Sequence, residues 1–153
     1  MKTKEVSFVP YFMLVFACIG ISIAFYDSFA VYTNRLLWCP PPIDGCNTVA
    51  YSPYARVFNI PLGYLGLIFY LSMFSTATLL AYDPFSRGLR LGALLLAALG
   101  VFFSICFMYV ELTFIHALCI YCLVSFIMTI LLLTYAIRHF RATRIPILQE
   151  VNF

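Results

Sequence analysis

Charged side chains are scarce in this sequence: Asp, Glu, Lys and Arg make up 10% of its 153 residues, against about a quarter in an ordinary soluble domain. With 64% hydrophobic residues and a mean hydropathy of +1.00, a water-soluble fold is excluded, because no core of this size hides that much apolar surface. A basic groove or helix face is also lacking. The net charge of +3 comes from residues at the chain ends and in one short connection, which gives no support to nucleic-acid binding. Internal repeats, low-complexity tracts and a soluble extra domain are missing too, so the reading is a single domain over residues 1–153.

What the sequence has is four long apolar stretches, at about 9–29, 60–82, 89–112 and 117–137. Each is near the ~20 residues that cross a bilayer. In lipid every backbone N–H and C=O must bond within its own segment, so all four are expected to be helices. The expected fold class is an all-α membrane protein, a four-transmembrane-helix bundle. Ser28-Phe29-Ala30 loosely resembles a signal-peptide cleavage site. The apolar run before it is longer than such leaders carry, and Asp27 sits beside the cut, so the first span is read as retained.

Lys2, Lys4, Arg87, Arg90, Arg138, Arg141 and Arg144 share one side if the chain crosses four times, leaving Arg35 and Arg56 on the other. The positive-inside rule then puts both termini in the cytoplasm. The loop at about 30–59 and the turn Glu111 to His116 face outward, across the inner or cell membrane if the source is bacterial. Trp38, Tyr51 and Tyr54 suit an outer interface. Small residues in spans two and three (Gly63, Gly66, Gly92, Ala93, Ala97, Ala98, Gly100) fit close helix packing.

Six cysteines are many for this length, and four lie in or beside the outward segments. Cys119-Ile120-Tyr121-Cys122 opens span four. Residues three apart share a helix face, near enough for a disulfide, and the positive end of the helix favours a reactive thiolate. The bland alternative is two small apolar residues packed in the bundle. Cys39 and Cys46 flank Pro40-Pro41-Pro42-Ile43-Asp44-Gly45, a turn-rich stretch able to close a small ring. Such a pair is either a plain structural disulfide or a redox partner of the helix pair. Asp44 fits a turn position. Cys18 and Cys106, inside spans one and three, are read as packing residues. Zinc sites present two closely spaced ligand pairs; only one such pair exists here, so no metal is expected.

The order of these features resembles the vitamin K epoxide reductase family. It runs from a loop cysteine through Cys46-Asn47-Thr48-Val49, Ser52 and Asn59-Ile60-Pro61-Leu62-Gly63 to Cys119-Ile120-Tyr121-Cys122, and covers nearly the whole chain. The quinone reductase DsbB is similar in logic, but its C-x-x-C lies in the first outer loop. The resemblance implies a bundle around a quinone pocket that opens outward. It implies that Cys122 faces the quinone, that Cys119 exchanges with the loop pair through Cys46, and that Cys39 meets the substrate protein. It also implies substrate-binding roles for Ser52, Asn59 and Phe126. From the residues alone, Ser52 is a cap before Pro53 on a short helix lying over the bundle. Many bacterial members carry Gly where Asn59 stands. Vertebrate members hold vitamin K with an asparagine and a tyrosine where Leu62 and Phe126 stand here, which implies a more apolar grip on a simple quinone.

The implied activity is a relay that reoxidises a thioredoxin-fold partner and passes its electrons to ubiquinone, menaquinone or a vitamin K-type quinone. Many bacterial relatives carry a fused thioredoxin-like domain. None is seen here, so a separate partner protein is implied. His116 and Glu111 are near enough in sequence to move the accompanying protons. Two other readings stay open: a quinone or epoxide reductase working mainly in the reductive direction, and a non-enzymatic membrane protein braced by its disulfides.

Overall fold

The computed structural model describes residues 2–41 and 45–150, with side chains at 8–41 and 45–142. Asp44, expected at a turn, lies outside the described residues. Among the described residues there are five α-helices: α1 (Lys2–Tyr32), α2 (Cys46–Ala50), α3 (Leu62–Tyr82), α4 (Arg87–Val110) and α5 (Ile120–Glu150). All but α2 contain a stretch long and apolar enough to cross a membrane. The helices pack as a closed ring, α1 on α3 and α5, and α4 on α3 and α5.

The ring is tight because its inner face is built from small residues and methionines. Met13, Ala17, Met73, Ala77, Ala97 and Leu132 are fully buried in one cluster. Packing of this kind, rather than a difference in polarity, drives helix association in lipid. Tyr70 lies across the core and its hydroxyl hydrogen-bonds the Ser125 hydroxyl at 2.7 Å. Gly20 makes room for it: a Cβ there would lie 2.2 Å from the Tyr70 ring, and one at Gly100 would lie 2.3 Å from the Phe69 ring.

Most side chains of the spans point away from the ring, as a lipid environment requires. Cys18 and Cys106 are among them, which corrects their reading as bundle-packing residues. Cys18 follows Ala17, an inward residue of α1, and so is turned about 100° off the packed face. On α4 the inward file is Ala93, Ala97 and Gly100, and Cys106 falls off it.

Four segments leave helical geometry at one end of the bundle. After α1 the chain runs without regular secondary structure to Cys39, and after α2 a 3₁₀ turn spans Pro53–Ala55. Arg56–Val57 then pairs antiparallel with Ile60–Pro61, through a two-residue loop in which Phe58 (φ 50°) and Asn59 (φ 68°) are both left-handed. That is the type I′ geometry favoured in tight hairpins. Span two therefore becomes helical at Leu62 rather than Ile60. Between α4 and α5, a π-helical turn at Glu111–Ile115 is closed by the Ala117 N–H on the Glu111 carbonyl at 3.4 Å. The left-handed His116 (φ 53°) then reverses the chain. At the opposite end, the buried Arg90 donates to the carbonyls of Ser86 and Phe85 and holds the α3–α4 connection.

The glycine approach can be tested directly. Gly20→Leu should lower the unfolding midpoint in detergent by the equivalent of about 1–3 kcal/mol of overpacking. Gly92→Leu, where nothing lies within 4 Å of an added Cβ, should leave it unchanged.

Candidate functional site

The irregular end of the bundle holds an open-mouthed pocket. Its wall is largely apolar, with Val31, Val49, Leu62, Phe107, Val110 and Ile115. Into it come Cys119 and Cys122 from the start of α5, Glu111 from the π-helical turn and Asp27 from α1. Among the described residues no group of three His, Cys, Asp or Glu side chains is arranged to hold a metal.

Cys119 occupies the N-cap position of α5: its carbonyl accepts the Leu123 N–H at 3.0 Å. Its own N–H donates to Glu111 Oε2 at 3.4 Å. Cys122 stands in the first turn, so the pair shares one helix face at the end where unpaired N–H groups favour negative charge. Both are free thiols, with Cys119 buried and Cys122 half-buried. A hydrogen bond from the Cys122 thiol holds the Cys119 thiol below the ordinary cysteine range, against the opposing effect of burial.

Cys39 and Cys46 are joined as a disulfide, Cα atoms 6.1 Å apart. Cys46 is fully buried, and all four of these cysteines pack in one cluster with Leu37, Val49 and Tyr121. Gly45 brings the two pairs together. A Cβ there would meet the Leu118 carbonyl oxygen at 2.5 Å, so the start of α2 lies directly against the residue before Cys119.

The irregular segment leading to Cys39 is held by side-chain hydrogen bonds. Asn47 receives the Leu37 N–H on its Oδ1 at 2.7 Å and returns its Nδ2–H to the Leu37 carbonyl at 3.1 Å. The Tyr51 hydroxyl donates to the Arg35 carbonyl at 2.8 Å. The Tyr121 hydroxyl, from within the C-x-x-C, donates to the Trp38 carbonyl at 2.5 Å, while the Trp38 N–H donates to the Tyr26 hydroxyl at 3.2 Å. These bonds satisfy backbone groups that no helix serves.

Other residues singled out by sequence sit around the pocket, not on its wall. Ser52 caps the 3₁₀ turn, its Oγ accepting the Ala55 N–H at 3.2 Å. Asn59 is an exposed hairpin residue. Phe126 is half-buried on α5, one turn beyond Cys122. His116 is exposed at its left-handed corner. Sequence reasoning passed over Asp27 as a site residue, although a carboxylate inside an apolar span is a signal in itself. It also passed over Gly45, Tyr26 and Tyr121, whose parts depend on contacts between distant segments.

A dithiol at a helix start in an apolar pocket, with a disulfide packed beside it, has the groups that thiol–disulfide exchange requires. The chain matches the Vitamin K epoxide reductase family over residues 11–137 and belongs to that family. Comparison with curated proteins gives no match. Membership and the four apolar helices make it an integral multi-pass membrane protein of a family of quinone-linked thiol–disulfide oxidoreductases.

The lowered Cys119 thiol gives a direct test. In Cys122→Ala the stabilising hydrogen bond is gone, so the pH of half-maximal iodoacetamide labelling at Cys119, followed by mass spectrometry, should move upward. An unmoved midpoint would show that Cys122 does not set Cys119 reactivity.

Proposed function

We propose that this protein reoxidises a thioredoxin-fold partner and reduces a membrane quinone. The partner's thiols reduce the Cys39–Cys46 disulfide, the loop pair exchanges with Cys119–Cys122 through Cys46 and Cys119, and Cys122 delivers two electrons to the quinone. The single observation that carries this reading is the placement of both C-x-x-C thiols on an apolar pocket with the loop disulfide in the same packed cluster. Thiol–disulfide exchange requires that proximity, because one sulfur must attack another directly.

The pocket supports a simple quinone over an epoxide. Leu62 stands on its wall, where the related vertebrate enzymes place a polar residue, and offers only apolar contact. Recognition of a quinone's oxygens then falls to the few polar groups on the wall. We assign secondary roles in shaping the site to Ser52, Asn59 and Phe126, through the 3₁₀ turn, the hairpin and the helix face below Cys122. Charge supports an orientation with the pocket on the extracytoplasmic side. Arg87, Arg90, Arg138 and Arg141 belong to the opposite end, and only Arg35 and Arg56 to the pocket end.

The relay predicts a split between electron sources. Steady-state quinone reduction driven by a reduced thioredoxin-fold protein should vanish in Cys39→Ser and in Cys122→Ser. Driven by a small dithiol that reaches Cys119–Cys122 directly, it should persist in Cys39→Ser and vanish only in Cys122→Ser. Equal losses with both reductants in Cys39→Ser would point to a purely structural loop disulfide. Gly45→Ala, which forces α2 away from Leu118, should slow the partner-driven reaction and spare the dithiol-driven one.

A further inference from the structure

Oxidation of two thiols by a quinone moves protons as well as electrons: two R–SH and Q become R–S–S–R and QH₂. The pocket therefore needs a group that accepts a proton from sulfur and returns it to oxygen. We propose that Glu111 is the catalytic proton carrier between the Cys122 thiol and the quinone. The proposal rests on the relay reading above and adds a residue to it.

Glu111 is 3% exposed, yet it lies on the pocket wall with both thiols. Its Oε2 accepts the Cys119 N–H at 3.4 Å, and its carboxyl is within hydrogen-bond reach of the Cys122 thiol. The widened turn at Glu111–Ile115 and the reversal at His116 are what fold this carboxyl back over the start of α5. Such π-helical turns often mark functional positions. His116, the other base nearby, is exposed at the corner and absent from the pocket wall.

The Cys122 S–H bond breaks and its proton passes to the Glu111 carboxylate. The electron pair of the Cys122 thiolate passes to the quinone as the Cys119 sulfur closes on Cys122 and the S–S bond forms. Glu111 gives its proton to one quinone oxygen, and the proton released from Cys119 supplies the other. Glu111 ends as the carboxylate that began the cycle.

A purely structural Glu111 would simply cap α5 through the Cys119 N–H. Glu111→Gln separates the two roles, because an amide oxygen still accepts that N–H but takes no proton from a thiol. In the full-length protein in detergent, Glu111→Gln should keep the wild-type unfolding midpoint and the wild-type rate of loop-pair reduction by a thioredoxin-fold protein. Its quinone reduction should fall by roughly 100-fold or more, the usual weight of a general acid–base group. His116→Ala should keep the wild-type rate. A folded Glu111→Gln that reduces quinone as fast as wild type overturns the proposal. Should Glu111→Gln fail to fold, Glu111→Asp and Glu111→Asn pose the same question at shorter reach, and equal quinone reduction by those two overturns it. Wild type inactive toward every quinone sinks the relay reading itself; wild type active with an equally active Gln variant sinks only the role of Glu111.

Discussion

Inside a bilayer the backbone has no water to bond, so a chain leaves helical geometry only where protein side chains or an aqueous face can serve its N–H and C=O groups. In this protein one end of the bundle meets that condition several times over. The irregular segment before Cys39 is served by Asn47, Tyr51, Tyr121 and Tyr26. The break between α4 and α5 is served by the wide turn at Glu111 and by the Glu111 carboxylate on the Cys119 N–H. Because these departures converge, the helices cannot close over one another there, and the gap they leave is the pocket.

The chemistry follows from the same breaks. A helix that starts at Ile120 presents Cys122 in its first turn and Cys119 at its cap, and at Cys119 the helix end and the neighbouring thiol both favour a thiolate. The pocket wall is largely apolar, and Glu111 on it accepts the Cys119 N–H. The hydrogen bond from Tyr121 to the Trp38 carbonyl ties the residue before Cys39 to the C-x-x-C itself, and Gly45 presses α2 against the same segment. The loop that carries the disulfide is thus held at the dithiol.

The four spans and the gathering of four cysteines at one end of the bundle were legible in the sequence because run length and cysteine spacing are local properties. Which face of each helix meets its neighbours was not legible. Spans that are apolar all round carry no period to separate a bundle face from a lipid face, and Cys18 and Cys106 were misjudged for that reason. The contact of Glu111 with Cys119 depends on a π-helical turn and a left-handed histidine, neither of which composition announces. Asp27 reaches the pocket through the packing of α1 on α3, where Gly63 leaves space beside it. Ser52 was legible as a cap, since Ser before Pro at a helix start is a short-range signal.

The central claim is that the thiols of Cys119 and Cys122 are the immediate electron donors to a quinone. The most direct measurement is a single anaerobic turnover. Protein is prepared with the Cys39–Cys46 disulfide intact and Cys119 and Cys122 reduced, as in the structure, then mixed with a molar equivalent of quinone. Quinol is quantified by absorbance and cysteine pairing by mass spectrometry. Stoichiometric quinol is expected, together with a new Cys119–Cys122 disulfide and an unchanged loop pair. Quinol formed without that disulfide, or no quinol from folded protein with any quinone class, would contradict it.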